Sequence, residues 1–228
     1  MPGREEPGVK SRPRLLALAL ALLLGACTTI ETATLSDALA TQVRGQTVAI
    51  VVETPAHFGV MLTHAVGLGP LGIPEVIEEG QRLVAENHIV DPADDVATVL
   101  GDALAGQRGA VVLPMHARAS RDDPKAIVAV APPEARYVLD VATVSWGVGN
   151  LPMPRSSYFV AYVARARLID TRTRAVVAEA GCMQAPDGTE FNGAYADLKA
   201  DNAARVKTEL AARADRCIHF LKRDLLGL

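Results

Sequence analysis

The spacing of apolar and polar positions changes character twice along this chain. Leu15 to Leu24, LLALALALLL, is an unbroken apolar run, shorter than the roughly 20 apolar residues that a helix needs to cross a bilayer core. Thr47 to Glu53, TVAIVVE, is rich in β-branched residues and stops before Pro55, which predicts a first, central strand. Gly59 to Ile73 is apolar and glycine-rich, and its spacing predicts no element. Pro74 to His88 gathers Val76, Ile77, Leu83 and Val84 on one face of a helix. In the next helix Asp91 can cap the start, Pro92 suits the first turn and Gly106 can end it, with Val96, Val99, Leu100, Ala103 and Leu104 on one face. Val111 to Leu113 predicts a short strand. Arg118 to Pro133, charged and rich in proline, is expected to be a mobile surface segment.

The second half turns to a period of two. Tyr137 to Trp146, Ser157 to Asp170 and Ala175 to Cys182 are β-rich, and Thr171 to Arg174 separates the last two. In the middle run Tyr158, Val160, Tyr162, Ala164, Ala166 and Leu168 share one face, while Arg165 and Arg167 lie on the other. An antiparallel sheet with one buried and one wet face follows. Tyr195 to Leu226 predicts a long closing helix with Leu198, Val206, Leu210, Ala214, Cys217 and Leu221 as its apolar stripe. The fold class is therefore α/β (α+β): a mixed or antiparallel sheet with a late β-meander, flanked by helices and closed by a long C-terminal helix.

Half of the chain is apolar but only 4% is aromatic, so the core is built mainly from Ala, Val and Leu. The formal charge of -3 argues against a nucleic-acid partner. Of the three cysteines, Cys182 shares the face of Val176, Ala178 and Ala180 on its strand, and Cys217 lies on the helical stripe. Both point into one core, and a disulfide joining sheet to helix is expected; two buried free thiols are the alternative. In the chain-entropy picture such a bridge stabilises by about 3 to 4 kcal/mol.

The first cysteine has other surroundings. A basic start carrying Arg4, Lys10, Arg12 and Arg14 precedes the apolar run, and Leu24-Gly25-Ala26-Cys27 follows it. That order resembles the lipobox of bacterial lipoproteins. The resemblance implies a signal peptide over 1–26, cleavage before Cys27, acyl chains including palmitate on that cysteine, a tether over 27–36 and a single periplasmic domain over 37–228. Thr28 stands where an aspartate would signal retention in the inner membrane, so the outer membrane is the expected address.

YVLDVATVSWGVG, YFVAYVARARLIDTRTRAVVAEAGC and ADLKADNAARVKTELAARADRC together resemble a group of uncharacterised proteobacterial lipoproteins, as does VAENHIVDPADDVATVLGDAL. The resemblance covers most of the mature chain and implies no particular activity. LIDTRTRAVV is also similar to hairpins in the N-terminal domain of the TolB type and in curli-secretion-type periplasmic modules. Those hairpins carry glycine where Arg174 stands.

Gly67-Leu68-Gly69-Pro70-Leu71-Gly72 fits the letters of a dinucleotide-binding loop, but Pro70 and Pro74 keep a helix from opening on the third glycine. No cofactor is expected. His57, His64, His88, His116 and His219 lack metal-ligand spacing, so no metal is expected either. The loop from Trp146 to Pro154 is the candidate contact. Trp146, Leu151 and Met153 either fold back on the sheet edge or offer an exposed apolar anchor to a partner or bilayer. The preferred reading is a membrane-anchored, non-catalytic module that binds an envelope protein or helps assemble the envelope. The alternative is an envelope enzyme whose site is assembled from scattered residues.

Overall fold

The computed structural model describes residues 32–61, 69–120, 122–150, 157–184, 191–192 and 194–228. In chain order the elements are α1 (Asp37–Val43), β1 (Thr47–Glu53), β2 (Phe58–Met61), a 3-10 turn (Gly69–Gly72), α2 (Ile73–Asn87), α3 (Ala93–Arg108) and β3 (Val111–Ala119). They continue with α4 (Pro124–Val130), β4 (Tyr137–Asn150), β5 (Ser157–Asp170), β6 (Val176–Gln184), β7 (Phe191–Asn192) and α5 (Tyr195–Leu226). The fold is α+β. Its mixed sheet of seven strands runs in the order β3-β1-β4-β5-β6, with β2 added beside β4 and β7 beside β5.

β1 is parallel to both neighbours, β3 and β4, so it is internal, though β4 holds the middle of the order. β4, β5 and β6 form the antiparallel meander. Alternation along each strand then builds two cores. Val48, Ile50, Val52, Leu139, Val141, Ala164, Ala166 and Leu168 pack under α2, α3 and α5. Val51, Val138 and Ile169 face the other way and meet Ile127 of α4.

Several expectations are corrected here. Arg118 to Pro133 is not a mobile segment: β3 continues through Ala119, and α4 buries Ile127 completely against the sheet. The strand begun at Val111 therefore runs nine residues rather than three. α3 passes Gly106 and ends at Gly109, whose φ of 69° lets its own N–H reach the Ala105 carbonyl and the following Ala110 N–H reach that of Leu104. The described end of the segment expected as a tether, 27–36, touches the domain. Ala33 exchanges two backbone hydrogen bonds with Glu179, at 2.7 and 2.9 Å, and Leu35 is buried.

Arg174 does what glycine would do in the β5–β6 turn, adopting a φ of 60°. Asp170 accepts from the backbone N–H groups of Arg172 and Thr173 and fixes that turn. α5 carries the expected stripe, with Leu198, Val206, Leu210, Cys217 and Leu221 all buried. Ala200 to Ala203 leave helical geometry, so α5 is two helical pieces joined at a kink. Cys182 and Cys217 are joined by a disulfide, tying β6 to α5 across a separation of 35 residues.

Candidate functional site

Three places gather side chains that could carry function, and the strand pattern positions each. Arg165 and Arg167 do lie opposite the Tyr162 to Leu168 face, but that side is not wet. Both are buried, together with Glu53 and Asp140. Arg167 donates from Nε to Asp140 Oδ2 at 2.8 Å and from Nη2 to Glu53 Oε1 at 3.1 Å. Arg165 donates from Nη2 to the same Glu53 oxygen at 2.6 Å and from Nη1 to Asp122 Oδ2 at 2.7 Å. Asp122 also pairs with Arg167 at 2.8 Å, and Glu179 stands 3.9 Å from Arg165. Two guanidiniums thus face four carboxylates.

That surplus of negative charge falls hardest on Asp140, which is fully buried. Burial pushes its carboxyl up to about 7 against the pull of Arg167, and the neighbouring Glu53 adds to the rise. Asp122 lies on the solvent side of the cluster. Burial raises its carboxyl too, but the Arg165 hydrogen bond and the Arg167 charge outweigh this and leave it below the usual range. Every guanidinium here is matched by carboxylates, so the cluster clamps the segment before α4 onto the sheet. Sequence reasoning missed it because alternation was read as exposure. The signal was present in Asp140 amid YVLDVATV and Glu53 ending TVAIVVE, since a charge inside a buried strand requires a counter-charge.

The second place is a groove of about 290 Å³ between the α2–α3 connection and α5. Ile89, Leu210, Ala211, Ala214 and Ile218 make its apolar surface, and His88, Asp95, Lys207 and Asp215 its polar one. His88 reaches this position by ending α2 in the left-handed region, with a φ of 52°. Asp91 lies at the base. Its Oδ1 accepts from the Ala93 N–H at 3.3 Å and from the Thr143 hydroxyl. Tyr162 Oη lies 3.3 Å from that hydroxyl and completes a buried polar chain into the sheet. Burial raises the Asp91 carboxyl above its ordinary value, partly offset by the hydrogen bond from Thr143. Its Oδ2 is buried and makes no hydrogen bond among the described residues. Oδ2 is therefore closed off from the groove, and Oδ1 is engaged by two hydrogen bonds.

The third place is the predicted contact loop. Trp146 is not an exposed anchor: it is 6% exposed, donates from Nε1 to the Ala56 carbonyl at 2.7 Å and meets the Phe58 ring edge-on at 4.9 Å. Its place on the face shared with Val148 sends it inward. Leu151 and Met153 lie outside the described residues, as do Cys27, His64 and Gly67-Leu68. Gly69 to Gly72 form a 3-10 turn before α2. His57 lies 2.9 Å from the Gln81 amide, and His219 is exposed. Among the described residues no helix is long and apolar enough to cross a membrane.

No protein-family model and no curated protein matches the chain. Among solved structures it is similar to the PelC dodecamer from Paraburkholderia phytofirmans, at 16% identity over 87% of this chain and 94% of that one, with a TM-score of 0.37. The C-terminal domain of LpoB from Escherichia coli aligns at 14% identity over 74% and 94% of the two chains, with a TM-score of 0.23. A lipoprotein from Neisseria meningitidis aligns at 14% over 70% and 96%, also at 0.23. These likenesses assign no activity.

Proposed function

We propose that this chain is an exported lipoprotein, cut before Cys27 and acylated there, whose domain faces the periplasm from the outer membrane and binds an envelope protein. Export is supported by the disulfide, since such bridges persist in oxidising compartments such as the periplasm. The observation that carries the binding reading is the groove, whose apolar floor lies beside the carboxylates of Asp95 and Asp215. It suits a partner segment that sets a lysine or arginine next to an apolar side chain. Leu151 and Met153, which follow β4 in the sequence, remain a second proposed contact.

A catalytic reading has one observation in its favour, the raised carboxyl of Asp91 at the base of a concave site. The burial of its Oδ2 and the two hydrogen bonds taken by its Oδ1 argue for the binding reading instead. In the test, a photo-crosslinking residue replaces the exposed Ala211 in intact cells, with and without Asp215→Lys. We expect a protein adduct that Asp215→Lys removes while the melting temperature holds. An adduct indifferent to that charge reversal, or none, overturns the groove as the contact. A small molecule recovered there instead favours the enzyme.

A further inference from the structure

The sheet face carrying Arg165 and Arg167 is covered at one end by α4 and the ion-pair cluster, and beyond them no described element lies over it. Alternation puts Phe159, Ala161 and Val163 of β5 on it, with Met183 of β6 opposite Val163. Val144 projects to the same side at the bulge of β4 between Thr143 and Ser145. Phe159 lies flat across Gly149, so close that a Cβ there would come within 2.5 Å of the ring. Met183 is 73% exposed and Val144 42%. Phe159 and Val163 are half-buried beside them, and together the four make a partly exposed apolar strip.

The path of the chain indicates what covers it. Ala33 bridges Glu179 in the antiparallel sense, so the chain direction at Ala33, read toward the N-terminus, points along β6 to the Met183 end. Four residues of strand separate Glu179 from Met183, about 13 Å at 3.2 to 3.4 Å each. From Ala33 back to Cys27 the chain can reach about 20 Å. An acyl group on Cys27 therefore enters its bilayer within reach of the Met183 end of the strip. A protein interface needs about 800 Å² and roughly 20 to 30 residues a side, against the handful of apolar side chains gathered here. Shallow insertion beside an existing anchor needs far less.

We infer that the strip of Phe159, Val163, Val144 and Met183 rests on the lipid surface that holds the anchor, leaving the groove on the helical side of the sheet turned toward the periplasm. This rests on the proposed acylation of Cys27. Apolar and aromatic side chains at this depth settle at the boundary between headgroups and acyl chains.

The test uses the full acylated protein in phosphatidylethanolamine and phosphatidylglycerol vesicles with brominated acyl chains. Met183→Trp adds a fluorophore on the strip, and Val111→Trp adds one at the exposed start of β3, at the opposite end of the sheet. Emission of the unsubstituted protein, from buried Trp146, is subtracted. Protein that floats with the vesicles and loses most of the emission added at 183, but not at 111, supports the inference. Floating protein whose added emission at 183 survives overturns it and leaves the anchor standing. Protein that does not float removes the anchor, and the inference with it.

Discussion

Asp140 shows how a single residue links charge to stability. Its folded-state carboxyl sits near 7, well above its ordinary 3.8, so the stability this group contributes is fully present below about pH 4 and is lost as pH rises through 7. Asp140→Asn should flatten that loss. We expect the variant to gain on the parent as pH rises from 4 to 7 and to hold level with it above that, measured by urea unfolding. A parent that gains on the variant over that window contradicts the cluster's charge balance. Asp170 runs the other way: the hydrogen bond from Arg136 holds its carboxyl down to about 2, so its contribution is present above 3.8 and lost as pH falls through 2. Trp146→Ala should cost roughly 3 to 5 kcal/mol, because the indole is buried and hydrogen-bonded. Unchanged melting would return Trp146 to the surface and to the list of contacts. The sequence alone left that choice open, since β4 was read as ending at Trp146 and its face beyond could not be assigned.

Among elements, the meander and the stripe of α5 were legible because apolar side chains there recur at the period of their element. α4 was not, though its signal was local. Asp123 caps it by accepting from the Lys125 N–H, and Pro124 fills the first turn; proline and charge read together as loop when they marked a helix start. The same helix covers the face expected to be wet, which is why Arg165 and Arg167 were placed correctly by side and wrongly by environment. The groove was invisible for another reason, since α5 and the α2–α3 connection meet only in the fold. Between β6 and α5 the disulfide is the covalent tie. Mature protein denatured without reductant should offer no reactive thiol, and reduction should lower its melting temperature. Two titratable thiols in normally exported protein would contradict the bridge.

For the whole molecule, the two sides of the sheet divide the work proposed for them. Helices α2, α3 and α5 cover one side and carry the groove, while the other carries the ion-pair clamp and the partly exposed apolar strip. Both roles depend on the chain being held at a membrane by its first mature residue. The most direct test is the intact mass of the protein purified from membranes, with that of Cys27→Ser beside it. The account predicts a chain beginning at Cys27 and heavier than its sequence by a diacylglyceryl group and an amide-linked acyl chain, with the Cys27→Ser product unacylated. A mature chain that begins elsewhere, or a Cys27 that carries no lipid, would contradict it.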